Sequence, residues 1–418
     1  MPNSSIATLW GRLLLFVAVM VATVGIYGLY QSARFHRRLE ALKAAGEMVD
    51  IDSLARHVED EDDDAATYLL RIKDDLHKIS QAIPRDDDVN IKTDADSLEI
   101  FDETMKDFPT FLENASLAAN APDFSFDFEN NVQLPIGVIE IQAAGLVLDW
   151  EGRVLLARGN ANGAVENAIE LLKFADKLEG RSILNSLLAN GFRILAWSLV
   201  CDCGADNRLD ENLLQQVFEL TDDLDLAELY REALKIERSI STYYMINTHL
   251  INDEGGFQPS GIEWLARQIP SGSVITVGNA YLDQTEIDIQ RSTIPFSEDL
   301  PLRDDNFSIL TVFGGDSGRA MDSLRLAIGD KIAAQRALRV AMTLQQSDEA
   351  KKRDTWPKEF LIGLGIPEEI TVDPFTGETL KIQKSDGKWT VYSCGRDRVD
   401  SQGTQDDIGY LPNKPKSE

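Results

Sequence analysis

Apolar residues recur at helical spacing along most of this chain, with a different pattern at each end. Leu13 to Tyr30 is an unbroken run of eighteen apolar and small residues, with no charge and no proline. As a helix it spans about 27 Å, enough for the hydrocarbon core of a bilayer. Trp10 on one side and Tyr27 and Tyr30 on the other stand where interfacial aromatics belong. A secretory signal would have a shorter apolar region and a small-residue cleavage site before Arg34. The run therefore predicts an uncleaved transmembrane helix, a signal-anchor over 13–30, behind a short tail at 1–12.

Residues 31–50 continue as a basic amphipathic helix. Six acids follow, Glu59 to Asp64, read as a solvated loop ahead of a helix over Ala65–Ile79. Phe124, Phe126 and Phe128 alternate with polar residues, which predicts extended chain. From 136 the periodicity is strongly helical. One helix is expected near 137–158, a break at Gly159–Gly163, a second helix through Leu178, and a third from Ile183 to Val200. Two more helices are expected over 210–250. The Gly-, Pro- and Ser-rich stretch 252–316 reads as short helices among long loops. Met321, Leu324, Ile328, Ile332, Leu338 and Met342 then mark one stripe of a long amphipathic helix over 318–350.

The pattern changes to alternation near the end. Leu380 and Ile382 share one face, Asp386-Gly387 signals a turn, and Trp389 to Tyr392 is rich in strand formers. Two strands are marginal alone, so this hairpin is expected to pack on the long helix. The fold class is thus mainly α: an N-terminal transmembrane helix, juxtamembrane helices and acidic loops (31–135), a helical body (136–316) and a small α+β lobe (317–418).

Charge narrows the function. Seventy acidic residues against 41 basic ones give a formal net charge of −29. That excludes a nucleic-acid binder, which needs cations to neutralise phosphates. Cys201, Cys203 and Cys394 are too few for a disulfide framework, and the first two have the wrong spacing for a redox or zinc motif. They read as buried small residues. His36, His57, His77 and His249 are scattered and form no zinc spacing. Gly315-Asp316-Ser317-Gly318 looks like a serine-protease nucleophile but reads as a helix cap. Asp86-Asp87-Asp88 fails as an EF-hand, because Ile91 and Ser97 stand where Gly and Glu are required. Glu237-Arg238 is either a buried ion pair or a surface pair. No catalytic residue is assigned.

One local cluster has a mechanism attached. Ser393, Asp397, Asp400, Asp406 and Asp407 fall within fifteen residues, with Gly395 and Gly403 between them. Crowded carboxylates repel unless solvated or bridged, and a hard cation such as calcium takes six to eight oxygens. The order of long helix, Trp356-Pro357, Asp373-Pro374-Phe375, hairpin, Tyr392-Ser393-Cys394-Gly395-Arg396-Asp397 and Asp406-Asp407-Ile408 resembles the C-terminal lobe of type II secretion major pseudopilins. The resemblance implies a structural calcium held by Ser393, Asp397, Asp406 and Asp407, with the carbonyl of Cys394. It covers about a seventh of the chain. The N-terminus lacks the processed segment of that family, so the resemblance bears on the lobe and not on pilus assembly.

Orientation is pulled two ways. Arg34, His36, Arg37 and Arg38 after the span place the large domain in the cytoplasm by the positive-inside rule. A calcium loop of extracellular type works only at exoplasmic calcium levels. The expectation is a single-pass cell-membrane protein with an exoplasmic or periplasmic domain. It would act as a helical scaffold or interaction protein with a calcium-stabilised lobe. Its expected partners are the membrane and other proteins. A hydrolase assembled from distant helices and a secretion-system accessory component are the alternatives.

Overall fold

The computed structural model describes residues 26–47, 58–84, 91–125, 138–247, 271–299 and 317–410. Single or paired positions at 28, 92, 180–181, 207–208, 223–224, 386–387 and 405 are left out. Among these residues the chain is mostly helical, with one small antiparallel sheet. In chain order the helices are α1 (26–44), α2 (Ala65–Arg71), α3 (Lys73–Ala82), α4 (Ala95–Asp107), α5 (Phe111–Asn120), α6 (Val138–Ala157) and α7 (Ala161–Leu178). They continue as α8 (Ile183–Asp206), α9 (Glu211–Glu219), α10 (Leu226–Asn247), α11 (Ser271–Ser292), α12 (Ser317–Gln346), α13 (Asp348–Lys351) and α14 (Lys358–Gly363). The strands are β1 (Lys381–Ser385), β2 (Lys388–Ser393) and β3 (Ile408–Tyr410).

The residues form two compact units. One comprises 1–53, 235–289 and 303–320; the other comprises 54–234, 290–302 and 321–418. In the first, α1 packs on α11. Phe35 is buried against Gly278, and the Asn279 amide donates to the Gln31 carbonyl and side-chain oxygens at 2.9 and 3.0 Å. Arg34 and Arg38 both reach Asp283, at 2.9 and 2.7 Å. Arg238 is buried and pairs with Glu47 and Glu286, which settles it as an interior cation.

The second unit holds the main core. Helices α6, α7 and α8 lie against one another, and small residues permit their close approach. A side chain at Gly145 would collide with Phe192, and one at Gly152 with Leu199. Trp150 meets Phe101 edge-on at 4.9 Å, and Phe174 stacks on Phe192 at 5.5 Å. Cys201 and Cys203 are buried in this core as expected, and the Cys201 thiol donates to the Leu338 carbonyl at 3.3 Å. Helix α7 starts where the sequence breaks, because the Asn160 side chain caps Gly163 N–H at 3.0 Å. The acidic run does similar work: Asp64 is buried and accepts from Ala66 and Ser125 N–H groups at 3.0 and 2.8 Å.

Helix α12 has two apolar faces. Leu338 and Met342 join the helical core, while Ala337, Val340, Ala341 and Leu344 pack with Leu361, Ile370, Leu380, Trp389 and Val391 under the sheet. The hairpin therefore rests on the long helix, as its marginal size requires. The sheet order is β1-β2-β3, with Ile382 opposite Val391 and Tyr392 opposite Gly409.

Several expectations need correction. The helix read over Ala65–Ile79 is two helices, because Ile72 leaves helical geometry at φ −114 and ψ 7. Among the described residues of 252–316, a helix of 22 residues occupies Ser271–Ser292; packing on α1 overrides its weak local propensity. The third strand was missed because only three residues form it. At Gly409 a Cβ would overlap the Val391 carbonyl oxygen, so the pairing of β3 with β2 needs glycine.

The predicted span 13–30 lies outside the described residues up to position 25. Its end, from 26, is helical, with Ile26, Tyr27, Leu29 and Tyr30 exposed. Phe126, Phe128, Asp86 to Asn90, His57, His249 and Gly315-Asp316 also lie outside the described residues. Among the described residues one helix, Ile183–Ala205, is long and apolar enough to cross a membrane. It is internal to the chain, and 56% of its most apolar eighteen-residue stretch is buried within the protein, where Ala196, Trp197, Val200 and Cys203 serve the core.

Candidate functional site

The predicted cation loop starts at the end of β2 and runs to β3. Ser393 is fully buried; its hydroxyl donates to Asp373 Oδ1 at 2.7 Å and accepts from Gly395 N–H at 3.1 Å. Cys394 N–H donates to Asp373 Oδ2 at 2.9 Å. Burial and the neighbouring Asp373 raise the Cys394 thiol to about 11. Gly395 has φ +69, and a Cβ there would overlap the Asp406 carbonyl oxygen. The loop thus turns back sharply on itself.

The carboxylates are unlike one another. Asp397 and Asp406 are exposed, and Asp397 accepts from Val399 N–H at 3.0 Å. Asp400 accepts from the Tyr392 hydroxyl at 2.9 Å and from Gln402 N–H. Burial of Tyr392 and the nearby Asp400 raise that phenol. Asp407 is 2% exposed: Oδ2 accepts from Gly403 N–H at 2.7 Å, and Oδ1 has no hydrogen-bond partner among the described residues. Burial raises its pKa, partly offset by backbone N–H groups of Gly403, Ser401 and Thr404. Among the described residues, no three His, Cys, Asp or Glu side chains converge as a metal cage.

Protein contacts order this loop. Arg396 binds Asp330 on α12 through both oxygens, with Nε at 3.0 Å from each. Arg398 reaches Asp299 at 3.0 Å and the Phe296 carbonyl at 3.2 Å.

Asp373, which the sequence offered only within the Asp373-Pro374-Phe375 segment of the resemblance, is the hub. It is 1% exposed and also accepts from Phe375 N–H at 2.8 Å. The adjacent Val372 carbonyl accepts from Arg336 of α12 at 2.8 Å.

A cavity of about 540 Å3 opens beside Val372 and Asp373, between α12 and the start of α10. One wall is fixed by Arg339, which is 3% exposed and grips both oxygens of Asp222 at 2.9 Å while lying over the Phe218 ring at 3.4 Å. No sequence motif pointed to this cavity, since its walls come from five separate parts of the chain. Elsewhere in the core, burial raises the carboxyls of Asp149 and Asp202, which Arg153 bridges at 3.0 and 3.3 Å. Neither lines the cavity. His77 is on the surface with Gln81, and His36 lies beside Phe35.

Comparison with known families, characterised proteins and solved structures gives no significant match to this chain.

Proposed function

We propose that this chain is a single-pass membrane-anchored helical interaction protein whose C-terminal lobe is closed by calcium. The observation that carries this reading is the buried Asp407 carboxylate, whose Oδ1 has no hydrogen-bond partner among the described residues. A desolvated anionic oxygen without a partner is costly, and a hard cation satisfies it. Asp407 would hold the ion. Asp397 and Asp406 are exposed carboxylates in the same loop, and Ser393 and the Cys394 carbonyl complete the oxygens that the pseudopilin resemblance implies. The ion would supply charge neutralisation at Asp407.

The anchor reading is supported by the helical end of the apolar run, where Ile26, Tyr27, Leu29 and Tyr30 are exposed. The exoplasmic reading draws on Arg34 and Arg38. Both are engaged by Asp283, so the fold itself has a use for these cations apart from topology. Calcium affinity of extracellular type, about 0.1–1 mM, is useful only on that side. The interaction role is supported by the cavity, whose lining offers hydrogen-bond donors and carboxylates suited to recognition.

Calcium titration of the detergent-solubilised chain tests the lobe. Alkaline extraction of membranes tests the anchor: an integral protein stays in the pellet, and release into the wash contradicts it.

A further inference from the structure

The cavity beside α12 holds polar groups that the fold does not use. Gln335 is only 8% exposed, yet among the described residues its side chain makes no hydrogen bond. Its neighbour Arg336 also lines the cavity and, among the described residues, makes one hydrogen bond, from Nη1 to the Val372 carbonyl. The Gln335 amide and the free edge of the Arg336 guanidinium line the cavity, where they can meet an occupant that accepts hydrogen bonds in place of water.

The charge pattern narrows the occupant. Among the described residues Arg336 forms no salt bridge, although Asp225 and Glu369 line the same cavity and act on it electrostatically. Asp225 uses one oxygen to cap α10, accepting from Ala227 and Glu228 N–H groups at 3.1 and 3.0 Å. Asp373 is already consumed by Ser393, Cys394 and Phe375. A lone anion on Arg336 would face Asp225 and Glu369, and a lone cation on those acids would face Arg336. A molecule carrying both charges matches both ends. Trp197 and Phe296 add apolar surface to the lining.

We infer that this cavity is a binding site for a small zwitterion of the amino-acid class, with the ligand carboxylate on Arg336 and Gln335 and its ammonium toward Asp225 and Glu369. The planar guanidinium edge suits a carboxylate through two parallel hydrogen bonds. A volume of about 540 Å3 admits an amino acid with a large apolar side chain, or a dipeptide. The ligand would bridge α12 and the first turn of α10 within one compact unit. The inference does not depend on calcium, because none of the five predicted calcium-loop residues lines the cavity.

The test is calorimetric titration of the full chain in detergent with L-phenylalanine, L-phenylalanyl-glycine, 3-phenylpropionate and phenethylamine, each to about 10 mM. The expected result is binding of L-phenylalanine or the dipeptide at least about tenfold tighter than the acid or the amine alone. Arg336→Met should abolish that binding. Because Arg336 also holds Val372, Asp225→Asn is the second variant: asparagine keeps the helix cap and removes the charge. It should weaken binding by about tenfold with an unchanged circular dichroism spectrum and melting temperature. Equal affinity for 3-phenylpropionate, unchanged affinity in Asp225→Asn, or no heat from any of the four compounds would overturn the assignment.

Discussion

The Asp373 carboxylate receives the Ser393 hydroxyl at 2.7 Å across twenty residues of chain, and both side chains are buried. The bond fastens the turn before the hairpin to the loop after it. Asp373 takes two further backbone donors, Phe375 N–H and Cys394 N–H, so removing it orphans three groups at once. Asp373→Ala should destabilise the protein by about 3 kcal/mol and Ser393→Ala by about 1 kcal/mol. Urea titration followed by tryptophan fluorescence reports both, since Trp389 is buried in the sheet. Equal effects from the two variants would contradict the hub role of Asp373.

Gly395 sits at φ +69 with the Asp406 carbonyl where a Cβ would be. Gly395→Ala should therefore cost about 2 kcal/mol, combining left-handed strain with displacement of the loop. Gly191, which has open space around its Cβ position, provides the control: Gly191→Ala lies inside α8 and should stabilise slightly by helix propensity. Thermal melts of the two variants moving in opposite directions would bear this out; a neutral Gly395→Ala would not.

How much of this was legible follows from what each residue reports about itself. The three core helices α6 to α8 were readable because their apolar period is sustained and Gly159 and Gly180 punctuate it. The hairpin was readable from Asp386-Gly387 and the alternation around it. Strand β3 was not, since three residues with a central glycine carry no period. Helix α11 was hidden because Gly, Ser and Thr argue for loop, and the contacts that favour helix there, with Gln31, Arg34, Phe35 and Arg38, come from some 240 residues away. The loop at 393–407 was found as a cluster of oxygens, but the separate roles of its acids depend on burial. Asp407 goes inside, Asp397 and Asp406 stay outside, and Asp373, twenty residues upstream, becomes the hub. The cavity was invisible because Asp225, Phe296, Arg336 and Glu369 meet only through the fold.

The raised pKa of Asp407 sets a pH signature. In the calcium-free protein the folded state holds this proton more tightly than the unfolded chain does. Its contribution is fully present below the ordinary carboxyl value of 3.8 and is lost as pH rises through the raised folded value. Saturating calcium reverses the sign, because the ion requires the charged carboxylate and protons compete with it. Melting temperatures recorded between about pH 4 and 7 should thus diverge, calcium adding more stability at the higher pH. Asp407→Asn should make the two curves parallel; curves that stay divergent in that variant would assign the effect elsewhere.

Calcium titration of the full chain in detergent, by calorimetry, addresses the central claim most directly. The account predicts uptake of one ion with a dissociation constant of about 0.1–1 mM, and a stability gain of about 1.4 kcal/mol at ten times that concentration. Asp407→Asn should remove both. Absence of uptake at millimolar calcium, or unchanged uptake in Asp407→Asn, would contradict it.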